Sequence, residues 1–149
     1  MEIIDYFTSD RQEHWLNEIG KSDWGAGKYL HQLLSENKLC ELVGASTKVL
    51  LLTDGEELAS FCTLADRDDV PDTALTPWMG FVYTFPQYRG RRLVGQLLAY
   101  GQKCAAEAGA RYVYISTNHT GLYEKYGYIF YQMMKDMEGE DSRVYRIAL

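Results

Sequence analysis

Phe85-Pro86-Gln87-Tyr88-Arg89-Gly90-Arg91-Arg92-Leu93-Val94-Gly95-Gln96-Leu97-Leu98 is the stretch that decides how this chain folds. It joins an apolar run, Trp78 to Phe85, to a segment with helical periodicity. In that segment Leu93, Leu97, Leu98, Cys104, Ala105 and Ala108 fall on one side. Pro86 ends the first element, Gly90 makes the turn, and Gly109 is a natural helix stop. Arg111 to Ser116 then reads as a strand in which Val113 and Ile115 alternate with Tyr112 and Tyr114. Strand, helix and strand in that order make a βαβ crossover. The helix is expected to carry Arg91 and Arg92 in its first turn. Cations there oppose the macrodipole at a cost of about 0.3–1 kcal/mol each. Two readings fit: an anion seated among the guanidinium groups and the free amides of the helix start, or arginines that solvate a helix end. The anion reading is carried forward.

Outward toward the N-terminus, Val49 to Thr53 and Leu58 to Leu64 are apolar runs joined through Asp54-Gly55, a hairpin signal. Leu39 to Ser46 has no clear assignment. Tyr29, Leu30, Leu33 and Leu34 share a helical face, as do Trp15, Leu16 and Ile19, with Gly20 and Trp24-Gly25-Ala26-Gly27 between the two helices. Ser9 and Gln12 have capping-box spacing, and Ile3, Ile4, Tyr6 and Phe7 suggest a first strand. Toward the C-terminus, Gly121 to Tyr126 is a short helix closed by Gly127. Tyr128 to Met134 and Arg143 to Ile147 are strands separated by Glu138-Gly139-Glu140-Asp141. The order is strand, two helices, three strands, helix, strand, short helix, two strands, which makes a mixed α/β chain.

With 149 residues, 46% hydrophobic and 24% charged, the composition is that of a globular protein. No linker or repeat divides it, so residues 1–149 are expected to form a single domain. A formal net charge of −6 argues against nucleic-acid binding, which needs a basic face. The three cysteines, Cys40, Cys62 and Cys104, have neither CxxC nor metal spacing, and no metal site is expected. No apolar run approaches the roughly 20 residues of a membrane span. Met1-Glu2-Ile3-Ile4-Asp5 lacks the basic and apolar regions of a secretory signal. A cytoplasmic location without membrane association is expected.

Tyr88-Arg89-Gly90 followed by Leu97-Leu98 resembles the acetyl-CoA diphosphate loop of the GNAT superfamily of N-acetyltransferases. A second segment is similar to the family as well: Ser116-Thr117-Asn118-His119-Thr120-Gly121-Leu122-Tyr123-Glu124-Lys125-Tyr126-Gly127-Tyr128. There a strand ending at an Asn runs into a Tyr-Glu-Lys-x-Gly helix. The two motifs lie in the family's order and together span about Phe81 to Tyr131. The sequence departs from the loop pattern at Arg92 and Val94, which fall where the family has small residues. Small residues let backbone amides approach the diphosphate; Gly95 offers room one position later.

The resemblance implies a GNAT-type acyl-CoA N-acyltransferase fold. Its sheet is central, mostly antiparallel, splayed between the fourth and fifth strands and flanked by helices. It implies acetyl-CoA as co-substrate, with Arg89, Gly90, Arg91, Arg92, Val94 and Gly95 at the diphosphate. Val82 and Thr84 would pair with the pantetheine in strand fashion, and Asn118 would bond to it. Tyr123 is implied as the general acid that protonates the leaving thiolate. The general base is left open: Asp66, Asp68, Asp69 and Asp72 lie in one loop, and His119 adjoins Asn118. Trp24, Tyr29, Trp78 and Tyr83 are candidates for an aromatic acceptor pocket. The expected activity is acetyl transfer to a primary amine, with a small-molecule acceptor as partner. Two rivals remain, a non-catalytic acyl-CoA-binding or sensing domain and an interaction module without the cofactor site. Homodimers are frequent in the family, but nothing in the sequence marks an interface.

Overall fold

The computed structural model describes residues 1–149. Seven strands form one sheet: β1 (Glu2–Asp5), β2 (Lys48–Asp54), β3 (Glu57–Ala65), β4 (Trp78–Thr84), β5 (Tyr112–Thr117), β6 (Ile129–Lys135) and β7 (Asp141–Ala148). Their spatial order is β1-β2-β3-β4-β5-β7-β6, and every neighbouring pair is antiparallel except β4 and β5. The helices are α1 (Gln12–Gly20), α2 (Gly25–Ser35), α3 (Leu39–Val43) and α4 (Leu93–Glu107). Parallel neighbours need a crossover, and α4 supplies it.

The helices cover both faces of the sheet. Phe61 of β3 packs beneath α2, where a β-carbon on Gly27 would be 3.4 Å from its ring. Leu50 of β2 and Met79 of β4 lie beneath α4, and a β-carbon on Gly101 would be 2.7 Å from the Met79 sulfur. With both faces covered, a central strand has no polar side to show. Val49, Leu50, Leu51 and Leu52 are accordingly all buried. Each such aliphatic side chain contributes about 1.5–3 kcal/mol on burial.

The parallel pair is short. β4 and β5 register only at Trp78 with Tyr114 and Met79 with Ile115, after which they part. A bulge accompanies the parting. Thr63 faces Gly80 and Phe61 faces Tyr83, so three steps on β4 oppose two on β3. Within the bulge, Phe81 takes a left-handed φ of 49°. Such a backbone bend is costly for a bulky residue, and it falls where the strands separate.

Several local expectations are corrected. The capping box does not form: Arg11 N–H donates to Ser9 Oγ at 3.0 Å, Gln12 donates to the Phe7 carbonyl, and α1 starts after Arg11. The first strand stops at Asp5, whose carboxylate accepts from Phe7 N–H at 3.1 Å and turns Tyr6–Thr8 into a 3-10 turn. The unassigned stretch contains α3. Most relevant to the site, α4 begins at Leu93, because Arg92 has a left-handed φ of 56°. Arg91 and Arg92 therefore precede the first turn instead of occupying it, and both stay at the positive end of the helix dipole.

Candidate active site

Where β4 and β5 part they leave a cleft of about 650 Å³. Gly80, Phe81, Val82, Tyr83 and Thr84 form one wall, and Ile115, Ser116 and Thr117 form the other. Past Met79 the side of β4 facing β5 has lost its partner strand, so its backbone groups are free to pair with an extended ligand. A smaller cavity of about 290 Å³ adjoins the first, sharing Thr84, Val94 and Leu122. Arg89, Gly90, Arg92 and Lys125 line it. The first amides of α4, on Leu93 and Val94, have no earlier helical carbonyl to bind. One end of the continuous groove is thus cationic and rich in N–H donors, a chemistry suited to a diphosphate.

The arginines are held by nearby tyrosines. Arg89 Nε donates to the Thr84 carbonyl at 3.0 Å, and its guanidinium lies 5.6 Å from the centre of the Tyr83 ring. Arg92 stands 5.9 Å from the Tyr126 ring and Arg91 5.4 Å from the Tyr88 ring. The Tyr88 hydroxyl bonds to Asp54 and Glu57, and the Glu57 bond does most to raise its pKa.

Of the residues expected from sequence, Val82, Thr84, Val94 and Tyr123 line the large cleft, and Arg89, Gly90 and Arg92 line the cationic cavity. Three are placed elsewhere. Arg91 lines neither space. Gly95 faces Tyr126, and its N–H is already donated to the Arg92 carbonyl at 3.1 Å. Asn118 is exposed just beyond β5 and lines neither space, whereas Thr117 and His119 beside it line the cleft.

Tyr123 is 6% exposed, held in a 3-10 turn, with its ring edge-on to Tyr128 at 6.1 Å. Burial raises its pKa, and the nearby Asp68 charge adds to the effect. The phenol therefore stays protonated at any working pH. A phenol so weak as an acid acts as a hydrogen-bond donor to whatever lies beside it in the cleft. It passes its proton on only while regaining one from elsewhere.

Two acids of the loop between β3 and β4 enter the cleft, Asp68 and Asp69. Burial, with help from the neighbouring Asp69 charge, pushes Asp68 up to about 8. Burial raises Asp69 as well, against a hydrogen bond from Ser116 that lowers it. Glu138, from the turn between β6 and β7, completes the acidic lining, and that turn is tied down by Met137 N–H donating to the Asp69 carbonyl at 2.8 Å. Asp66 instead caps a turn, accepting from Ser46 N–H at 3.1 Å.

Sequence reasoning left Asp68 undistinguished among four candidate aspartates, and it missed the Phe81 bulge. Four aspartates in one loop look alike until the fold selects one, and Phe81 carries no residue preference for a left-handed backbone. Of the expected aromatics, Trp24, Tyr29 and Tyr83 do line the cleft, with Trp24 stacked on Tyr83 at 5.6 Å. Trp78 does not. It is 1% exposed among Val70, Leu75, Tyr114 and Val144, with its indole N–H on the Leu75 carbonyl. His14 and His31 lie on α1 and α2, away from the cleft lining.

Residues 28–131 match the family model of the GNAT acetyltransferase domain. No curated protein sequence matches the chain. Among solved structures, a protein assigned to the GNAT family from Desulfovibrio desulfuricans is 16% identical, with 99% of this chain and 98% of that one covered and a TM-score of 0.71. The aminoglycoside 6'-N-acetyltransferase of Enterococcus faecium is 14% identical over 99% and 96%, TM-score 0.66. A GNAT family acetyltransferase from Elizabethkingia anophelis with acetyl-CoA bound is 16% identical over 99% and 97%, TM-score 0.62. At such identities the structural likeness shows the fold.

Proposed function

The chain belongs to the GNAT acetyltransferase family, and on that footing we propose that it transfers the acetyl group of acetyl-CoA to a primary amine of a small molecule, in a ternary complex. What carries this reading is one continuous groove, cationic at the Arg89–Arg92–Lys125 end and walled by the bulged β4 at the other. The diphosphate fits the cationic end, where Arg89, Arg92 and the first amides of α4 converge. Val82 and Thr84 offer the free edge of β4 to the pantetheine arm. An N–H of the bulge then meets the thioester carbonyl oxygen as it gains charge, and a fixed donor in a site shielded from water is worth several kcal/mol there. The neutral amine attacks the carbonyl carbon, the carbon–sulfur bond breaks, and Tyr123 supports the departing sulfur.

Family relatives with aminoglycoside acceptors support a small-molecule amine. The whole of residues 1–149 then works as one catalytic domain. Calorimetric titration of acetyl-CoA into the protein, followed by thiol release with primary amines, tests the proposal. Saturable binding with amine-dependent thiol release is expected. Binding without release under any amine would favour the acyl-CoA sensor, and no binding would end the acetyltransferase reading.

A further inference from the structure

Asp68 occupies the fork where β4 and β5 part. A β-carbon on Gly80 would lie 3.2 Å from Asp68 Oδ1 and 3.2 Å from Thr63 Oγ1, so the carboxylate rests over the backbone just ahead of the Phe81 bulge. A glycine at 80 leaves room for that approach. No lysine, arginine or histidine pairs with this carboxylate. A half-buried carboxylate without a cation is costly to keep. Here it opens on a cleft that it shares with Tyr123.

The rest of the cleft mouth divides by chemistry. Asp69 and Glu138 also line the cleft, and the Met137 N–H bond to the Asp69 carbonyl holds the Glu138 turn against the Asp68 loop. Trp24, Tyr29 and Phe81 form an apolar wall, with Tyr29 and Phe81 rings 6.3 Å apart. A primary amine with an apolar or aromatic body satisfies both walls: its ammonium meets the carboxylates and its carbon body meets the rings. The cleft of about 650 Å³ must also admit the acyl end of the co-substrate, which keeps the acceptor small.

We propose that this region is an acceptor subsite for a small monoamine with an apolar or aromatic body, in which Asp68 binds the ammonium and takes its proton. The inference rests on the acetyltransferase reading. The protons balance as follows. One passes from the ammonium to the Asp68 carboxylate and then to water. After the nitrogen–carbon bond forms and the carbon–sulfur bond breaks, the second nitrogen proton replaces, by way of water, the one Tyr123 gives to the sulfur, so that CoA leaves as the thiol, the phenol is restored and the amide is neutral. The other titratable side chains that line the cleft with Asp68 are Tyr29, Asp69, Tyr83, His119, Tyr123 and Glu138.

The test uses the full chain, acetyl-CoA, 2-phenylethylamine and, as a polycationic contrast, spermidine. The wild type should acetylate 2-phenylethylamine with a kcat/KM at least tenfold above that for spermidine. Its kcat/KM should rise with pH and bend near pH 8. Asp68→Asn should lower kcat/KM for 2-phenylethylamine by roughly 10²–10³, in the range of a lost general base. The bend near pH 8 should disappear, and the acetyl-CoA dissociation constant should stay within twofold, which also reports a folded variant. The ionisation of the amine itself affects both proteins alike. An Asp68→Asn protein with the wild-type rate and pH profile overturns the base, and equal or better turnover of spermidine overturns the acceptor class. Acetyl-CoA binding without transfer to 2-phenylethylamine overturns the inference alone, whereas no acetyl-CoA binding overturns the acetyltransferase reading beneath it.

Discussion

Gly95 and Tyr126 are in such close contact that a β-carbon on residue 95 would stand 2.7 Å from Cε1 of the ring. The first turn of α4 and the turn after β5 meet at that point, and Tyr126 then lines the cationic cavity beside Arg92. The glycine thus sets the width of the cavity without lending it an amide. Gly95→Ala should displace Tyr126, lowering stability by about 1–3 kcal/mol, the usual cost of overpacking. It should also weaken acetyl-CoA at least several-fold. Thermal unfolding and calorimetry on the same sample check both, and unchanged acetyl-CoA affinity would separate Gly95 from the site.

Arg92 carries two opposed effects. Its left-handed backbone costs roughly 1–2 kcal/mol relative to an ordinary conformation. Arg92→Gly relieves that strain and removes a cation from the cavity. The variant should melt higher than wild type yet bind acetyl-CoA more weakly, with a shallower dependence on salt. Tighter binding in Arg92→Gly would mean that the side chain obstructs the diphosphate.

Tyr123→Phe keeps the ring packed against Tyr128 and deletes the hydroxyl. Acetyl-CoA affinity should hold while kcat falls about 10- to 100-fold, at and below the lower limit of the roughly 10²–10⁴ typical of proton-transfer groups. That modest figure follows from the raised pKa, which makes the phenol a reluctant acid. Steady-state kinetics at saturating amine reads it directly, and a normal kcat would remove Tyr123 from the chemistry.

Asp68 also sets a pH dependence of stability. Its folded pKa of about 8 is above its unfolded value, so the folded state holds this proton more tightly between the two. The stability it contributes is fully present below the unfolded value and is lost as pH rises through about 8. At pH 9 the wild type therefore bears a half-buried charge that Asp68→Asn lacks. The variant should melt higher there, by about 2–6 °C, and the difference should vanish toward pH 4. A constant offset across pH would assign the effect to something other than this ionisation.

How much of this was legible in the sequence depended on how local each signal was. The crossover through α4, the hairpin at Asp54-Gly55 and the two-motif GNAT resemblance all rest on short-range patterns. They carry over into the family match, the parallel β4–β5 pair and the antiparallel remainder. The start of α4 was set two residues early because no residue preference announces a left-handed arginine. Trp78 looked like its neighbours in the strand, yet strand alternation points it to the face opposite Met79, into the Tyr114 cluster. Asp68 was one of four loop aspartates. Only the loop's path over Gly80 brings that carboxylate into the cleft and leaves Asp66 capping a turn.

The most direct test of the central claim follows free thiol with time as acetyl-CoA is titrated against a fixed panel of primary amines. Thiol release should require both protein and amine, saturate in acetyl-CoA, and be accompanied by one acetylated amine per thiol. Thiol release that is independent of amine, or none at all from a protein that binds acetyl-CoA, would contradict an acetyltransferase and leave an acyl-CoA-binding domain in its place.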